Sequence, residues 1–178
     1  MRLILEKINE ILDRHRYQKG VIHTSSTEQA YWICENLNDY DLIVVEGNER
    51  NRIINDFTSS EEKSVLIGAS LKDGVDFKGD ICRFQIIFKM PYPQQNELVK
   101  YRKRQDRSWY FYQAVMALMQ AYGRGIRDMD DYCTMYIIDS SFQYLFEYNR
   151  RFFNQYFEEA VLEARKDLRA RNRKKIKN

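Results

Sequence analysis

The nine-residue segment that begins at Gln120 holds the side chains best suited to chemistry. It reads Gln-Ala-Tyr-Gly-Arg-Gly-Ile-Arg-Asp, so Gln120, Arg124 and Arg127 follow one another at spacings of four and three. On a helix these spacings place all three side chains on one face. Guanidinium groups are planar, stay charged and match phosphate oxygens in pairs. We therefore predict that the two arginines form an anion clamp, with Gly123 and Gly125 allowing close backbone approach or a kinked turn. The alternative is a helix with two exposed arginines.

Residues 68–80 form a second candidate segment, which is rich in glycine and short polar side chains and follows an apolar run. Ligands of open α/β sheets bind at loops that follow the carboxyl ends of parallel strands. Gly74 permits tight backbone geometry in such a loop. The Asp76 carboxylate can orient a cation or a hydroxyl group, so this segment is a candidate ligand site.

A third candidate consists of Thr24, Ser25 and Ser26, which end another apolar run and precede a helical pattern. Hydroxyls and free amides at a helix N-terminus can bind an anion. An ordinary N-cap explains the same residues equally well. His23, the residue before them, is predicted to be structural.

Short apolar runs alternate with segments of helical periodicity along the chain. The pattern predicts strands at 21–26, 42–45, 65–68, 84–90 and 135–138, and helices at 3–17, 27–38, 50–59, 94–123 and from 142 onward. Alternation of this kind indicates parallel βαβ units and an open, mostly parallel α/β sheet flanked by helices. The last helix is predicted to pack through one apolar stripe, which comprises Leu145, Tyr148, Phe152 and Tyr156 and is widened by Phe146, Phe153 and Phe157.

The composition indicates a soluble globular domain, because 44% of the 178 residues are hydrophobic and 31% are charged. No apolar run approaches the roughly 20 residues that cross a bilayer. The three cysteines, Cys34, Cys82 and Cys133, are far apart and predict buried free thiols in a reducing cytoplasm. They lack the spacing of a zinc or iron–sulfur site, so no metal site is expected.

Positive charge is concentrated in two places. Residues 165–178 contain eight Lys or Arg and one acidic residue, and residues 100–107 contain five and one. Such clusters attract nucleic-acid backbones but also occur as solvated surface. We divide the chain into one domain, residues 1–164, and a basic helix end or tail, residues 165–178.

Taken in chain order, the three segments resemble the motifs of superfamily 2 helicases, in the branch that contains XPD and DinG. Gln-x-x-Gly-Arg-x-x-Arg resembles motif VI, residues 68–80 resemble motif V, and the strand ending in Thr-Ser-Ser resembles motif IV. The resemblance runs from about Val21 to Phe142. It departs from the family at Asp73, where glutamate is more usual, at Cys133, where glycine is usual, and at Ser141, where arginine is usual.

The resemblance implies the second RecA-like motor domain, with a long helical insertion before motif VI and a C-terminal helix. It implies that Arg127 is an arginine finger for ATP, that Arg124 is its companion and that Gln120 positions water or phosphate. Further implied roles are nucleotide binding by Gly74, Asp76 and Gly123, and binding of single-stranded DNA by Thr24, Ser25, Ser26, Ser70, Lys100 and Arg104. ATP and Mg²⁺ would be held mainly by a first RecA-like domain, because this sequence has no Gly-x-x-x-x-Gly-Lys-Ser/Thr loop.

Two other interpretations stay open from the sequence. One is a non-catalytic module that keeps a motor-like fold to bind nucleic acid or protein. The other is an unrelated α/β domain whose arginines bind a phosphometabolite in a closed pocket. The helicase interpretation instead expects Arg124 and Arg127 on an open, unpartnered face. Trp109 and Tyr110 are candidate stacking aromatics, although core packing is the more common fate of such residues.

Overall fold

The computed structural model describes residues 2–69, 71, 77, 79–125 and 131–175, with side chains as far as Leu168. Five strands and seven α-helices lie in this part of the chain. In chain order they are α1 (Arg2–Arg14), β1 (Gly20–Thr24), α2 (Thr27–Asn36), β2 (Leu42–Val44), α3 (Arg50–Ser59), β3 (Val65–Ala69), β4 (Phe84–Ile87), α4 (Glu97–Gln105), α5 (Arg107–Tyr122), β5 (Thr134–Ile137), α6 (Ser141–Tyr148) and α7 (Gln155–Lys175).

The strands form one sheet in the order β2-β3-β1-β4-β5, and every neighbouring pair is parallel. This confirms the predicted fold class. After β3 the chain passes β1 and enters β4 on its other side, so the direction of winding changes around β1. Such a change creates a crevice at the carboxyl ends of the strands, where ligands of open α/β sheets bind.

Helices cover both faces of the sheet because side chains alternate along each strand. On the first face, α1 and α2 pack against Ile22, Ile67 and Ile86 of the central strands. On the second face, α3 packs against Val21 and Leu66. The helices α5, α6 and α7 form a neighbouring cluster on this second face, which includes Ile87 of β4.

Two of the predicted helices are in fact pairs. The segment predicted at 94–123 is divided at Asp106 into α4 and α5, and the final helix is divided into α6 and α7 by a 3₁₀ turn at Arg150–Phe152. Leu145 is buried, but Tyr148, the last residue of α6, and Tyr156, in α7, are 71% and 81% exposed, so the predicted stripe is wrong at these two positions. The residues that were predicted only to widen the stripe, Phe146, Phe153 and Phe157, form the buried contact.

Other expectations are met in part. Cys82 is buried as predicted, while Cys34 and Cys133 are half-buried, and all three are free thiols. The helix α7 continues without interruption past Arg165, so the basic residues up to Lys175 extend a helix. The division at residue 165 stays a prediction.

Candidate functional site

A cleft of about 640 Å³ opens at the carboxyl ends of the central strands. The ends of β1 and β4 contribute its floor, the chain after β4 forms one wall, and α5 forms another. The residues that line it include His23, Thr24, Ser25, Lys89, Tyr92 and Gln94. The crevice predicted by the sheet topology is therefore present.

Thr24 and Ser25 line this cleft, but their hydroxyls already have partners. Thr24 Oγ1 donates to the Ser26 carbonyl at 3.0 Å, and Ser25 Oγ donates to Gln29 Oε1 at 2.9 Å. Ser26 is the N-cap of α2, and its side chain accepts from the Gln29 amide. The N-cap interpretation is thus confirmed for Ser26, whereas the exposed Ser25 is the hydroxyl best placed to meet a ligand in the cleft.

The wall after β4 is held by Asp139, two residues after the end of β5. Its carboxylate accepts from the backbone amides of Met90 and Ser141, each at 3.0 Å. Burial acts to raise the pKa of Asp139, but these amides, with help from Lys89, lower it below its ordinary value. The Lys89 ammonium lies 3.9 Å from the same carboxylate and is 45% exposed beside the cleft. Lys89 was not predicted as a site residue, because it falls within the strand predicted at 84–90 and no local pattern marks it.

The turn that carries Arg124 differs from the predicted arrangement. The helix α5 ends at Tyr122 and Gly123 is its C-cap, with its amide bonded to the Met119 carbonyl at 2.9 Å. Arg124 therefore lies beyond the helix and cannot share a helical face with Gln120, which is exposed in the last turn. Arg124 is also half-buried and interacts with another group of the chain, so the expectation of an open, unpartnered face is wrong for this residue.

The segments that resemble motifs V and VI are neighbours in the fold. The Phe77 amide donates to the Arg124 carbonyl at 3.2 Å. The Gly79 amide also donates to Asp131 Oδ2 at 3.2 Å, three residues after the end of the segment that resembles motif VI. Two backbone amides of the segment that resembles motif V are thus bonded to that segment or to the chain just after it, about fifty residues away in sequence.

Gly125 lies against the second face of the sheet. A Cβ atom at this position would lie 2.5 Å from Gln85 Nε2 and 2.6 Å from Cys133 Sγ. Only a residue without a side chain fits so close to these atoms, which supports the predicted close backbone approach.

The polar groups beneath this turn are buried. Gln85 is 1% exposed, and its Oε1 lies 2.9 Å from Nε2 of His23. Burial lowers the pKa of His23 to about 4, although the Gln85 hydrogen bond opposes the shift, so the imidazole is neutral near pH 7. This fits the structural role predicted for His23, which also reaches the floor of the cleft.

The remaining predicted residues are dispersed or lie outside the described residues. Lys100 and Arg104 are exposed on α4, which begins three residues after Gln94 at the edge of the cleft. Tyr110 is buried and Trp109 is half-buried, as core packing predicts. Arg127, Gly74, Asp76 and Ser70 lie outside the described residues.

The pattern of a parallel sheet, a carboxyl-edge cleft and two joined glycine-rich segments matches a known family. A sequence model of the family described as "Helicase C-terminal domain" matches residues 8–159. The chain belongs to this family. Membership removes the interpretation as an unrelated α/β domain. That interpretation also placed the arginines in a closed pocket, whereas Arg124 is not among the described residues that line the cleft.

Curated relatives and solved structures place this helicase domain more closely. The ATP-dependent DNA helicase CHL1 of Candida albicans is 27% identical over 96 residues, which are 43% of this chain and 11% of that protein. CHL1 of Saccharomyces cerevisiae is 24% identical over 128 residues, or 58% and 15%. The chain thus spans only a small part of these relatives.

Among solved structures, apo XPD superposes with a TM-score of 0.67 at 16% identity, covering 81% of this chain and 33% of that one. S. cerevisiae Dbp5 bound to RNA and ADP BeF3 superposes with a TM-score of 0.61 at 15% identity, covering 85% and 36%. These likenesses establish the RecA-like fold. With the family match, they identify a C-terminal helicase domain of the XPD-like superfamily 2 type.

In the described part of the chain, no helix is both long and apolar enough to cross a membrane. No group of three His, Cys, Asp or Glu side chains there is arranged to hold a metal ion.

Proposed function

We propose that this domain is the second motor domain of an ATP-dependent DNA helicase. Its first RecA-like domain, on another part of the protein or on another chain, would hold ATP and Mg²⁺. The observation that carries the proposal is the hydrogen bond from the Phe77 amide to the Arg124 carbonyl, within a fold of the helicase family. This bond joins the two segments to which the resemblance gives nucleotide contacts. A cytoplasmic location is part of the proposal.

Arg127 would be the finger that meets the γ-phosphate, and Arg124 its companion. Negative charge on the phosphoryl oxygens during transfer is stabilised by such a guanidinium, an effect worth about a thousandfold or more in comparable enzymes. Gln120 would position water or phosphate. Nucleotide binding would also involve Gly74, Asp76 and Gly123. Mg²⁺ would be held mainly by the first domain, as the resemblance implies.

Single-stranded DNA would occupy the cleft at the carboxyl edge. Thr24, Ser25, Ser26 and Ser70 would contact its phosphates, and Lys100 and Arg104 would attract the strand beyond the cleft. Support comes from the position of Thr24 and Ser25 in the cleft beside the cation of Lys89. Further support is that two curated relatives are DNA helicases by name. Closure with ATP and opening after hydrolysis would alternate the grip on the strand.

The nucleotide role is tested by ATP hydrolysis. The isolated chain should show essentially no turnover, because half of the site is absent. In the complete two-domain protein, Arg127→Ala should lower the turnover number about a thousandfold and leave the thermal unfolding temperature unchanged. Arg2→Ala, on the exposed first turn of α1, is the control and should hydrolyse ATP normally.

Three outcomes would change the proposal. Robust turnover by the isolated chain would contradict a two-domain site. Normal turnover by Arg127→Ala would remove this residue from the site. Normal turnover by both arginine variants, Arg124→Ala and Arg127→Ala, together with retained DNA binding would favour the non-catalytic binding module.

A further inference from the structure

The helix α4 is unusual because none of its nine residues is buried. Leu98 and Tyr101 are each 61% exposed, and within the described part of the chain the Tyr101 ring stacks on no other aromatic ring. Lys100 and Arg104 are four residues apart on one side of the helix, and Tyr101, three residues before Arg104, lies beside them. We call these three residues, Lys100, Tyr101 and Arg104, the α4 face. An exposed aromatic ring flanked by two cations is the arrangement found where proteins bind unpaired bases.

The charge of α4 is largely uncompensated. Lys100 pairs with Glu97 at 2.8 Å, an exposed pair that contributes little energy. No carboxylate of the described residues forms an ion pair with Arg102, Lys103 or Arg104. Two of these cations instead lie over aromatic rings. The Arg102 guanidinium is 5.4 Å from the Trp109 ring centre, and the Lys103 ammonium is 4.2 Å from that of Tyr110.

The helix α4 is joined to the cleft by aromatic contacts that run through Lys103, on a different side of the helix from Tyr101. Tyr92, which lines the cleft, stacks on Tyr110 with ring centres 5.5 Å apart and planes 9° from parallel. Lys103 of α4 lies over the ring of Tyr110. A nucleic-acid strand that leaves the cleft past Tyr92 and Gln94 therefore meets α4 next, because the helix begins at Glu97.

We propose that the α4 face binds single-stranded nucleic acid, with an unpaired base stacked on Tyr101 and the flanking phosphates held by Lys100 and Arg104. This deepens the proposed function and rests on it, since the strand continues from the same cleft. The α4 face spans four residue steps from Lys100 to Arg104, about 6 Å along the helix axis, which gives room for one stacked base and its neighbouring phosphates.

Unpaired nucleic acid fits this face better than a duplex or an acidic protein. In a duplex the bases stack on each other, so the exposed ring of Tyr101 would have no base to stack on. An acidic peptide would satisfy the cations but would leave that ring in water. A single strand supplies both phosphates and flat bases at short, regular intervals.

The test is a binding titration of the chain with fluorescent oligothymidine and with oligouridine of matched length. Tyr101→Ala should weaken binding about tenfold, whereas Tyr101→Phe should keep it because the ring is retained. Tyr17→Ala is the matched control and should bind normally, since Tyr17 is 83% exposed and precedes the amino-terminal end of β1, away from the cleft. The strand that the wild-type chain binds more tightly identifies DNA or RNA as the ligand.

An abasic strand of the same length separates stacking from phosphate contact. Tyr101→Ala should bind it like the wild type, whereas the double variant Lys100→Ala, Arg104→Ala should bind both abasic and base-bearing strands more weakly. Shortening the base-bearing strand until it fills the cleft but no longer reaches α4 should remove the difference between wild type and Tyr101→Ala. Unchanged affinity of Tyr101→Ala for base-bearing strands would overturn the inference, as would equal losses on the abasic strand.

The cleft variants Ser25→Ala and Lys89→Ala distinguish the two proposals. If they weaken binding while Tyr101→Ala does not, the proposal for the α4 face is wrong and the proposal that the cleft binds the strand is retained. If the wild-type chain binds no strand at all, nucleic-acid binding by this domain fails together with the α4 face.

Discussion

Gly123 and Gly125 are two residues apart in the turn that carries Arg124, but their surroundings are opposite. A Cβ atom at Gly123 would meet nothing nearer than the Met119 carbonyl at 3.4 Å, whereas at Gly125 it would lie 2.5 Å from Gln85 Nε2. The sequence suggested close approach around both glycines. The structure assigns it to Gly125, because the neighbours that cause it come from β4 and from the segment before β5.

We expect Gly125→Ala to lower the free energy of unfolding by about 1–3 kcal/mol, since the methyl group forces buried neighbours to move. Gly123→Ala, whose site has room and ordinary backbone angles, should be neutral or stabilise by up to about 1 kcal/mol. Urea unfolding of the two variants measures the difference. Equal stabilities would contradict the close packing of the turn on the sheet.

His23 gives the second prediction at this scale. Its pKa is about 4 in the folded chain, below the ordinary 6.5, because it is buried. Between these values the unfolded chain binds a proton that the folded chain does not, so stability rises with pH. The contribution is complete above pH 6.5 and is lost as the pH falls towards 4. A shift of this size corresponds to about 3 kcal/mol.

The measurement is the free energy of unfolding at several pH values for the wild type and for His23→Gln. The variant retains a polar side chain beside Gln85 but has no imidazole to titrate. The difference between the two curves should therefore change between pH 6.5 and 4 and be flat above pH 7. Parallel curves would show that His23 does not set this dependence.

At the scale of elements, the periodicity of the sequence placed helices correctly but missed where they break. The prediction of one helical stretch at 94–123 failed at Asp106, which closes α4 and opens α5. Its amide donates to the Arg102 carbonyl at 2.8 Å, while its carboxylate accepts from the amides of Ser108 and Trp109. An aspartate within a basic helical pattern was readable as a cap, but the apolar period continued across it and concealed the break.

We expect Asp106→Ala to destabilise the chain by about 0.5–2 kcal/mol, the usual cost of losing an N-cap. Because α4 has no buried side chain to hold it, the variant should also lose helical circular dichroism before the global transition. Asp106→Asn keeps an oxygen acceptor at the cap and should restore most of the stability. A loss as large for asparagine as for alanine would indicate that charge, and not capping, is what matters at this position.

For the whole molecule, the alternation of apolar runs and helices was enough to predict a parallel α/β sheet, because each βαβ unit is a local pattern. Contacts between residues that are far apart in sequence could not be predicted in this way. That Arg83 pairs with Asp131 at 2.7 Å, or that Asp139 bonds the amide of Met90, depends on how β4 and β5 pair. Residues that act through such contacts, such as Lys89 and Gln85, carry no local signature of their role.

The distribution of charge over the molecule leads to the last prediction. The net charge is only +3, so overall attraction for nucleic acid is weak, and binding must depend on local clusters such as α4. Each phosphate neutralised on a single strand adds about 0.7 to the slope of log affinity against log salt. The double variant Lys100→Ala, Arg104→Ala should therefore reduce the slope by about 1.4, whereas Arg2→Ala should leave it unchanged. Titrations of a single strand at salt concentrations between about 50 and 200 mM give both slopes. Salt-insensitive binding of the wild-type chain would mean that stacking, and not phosphate contact, holds the strand.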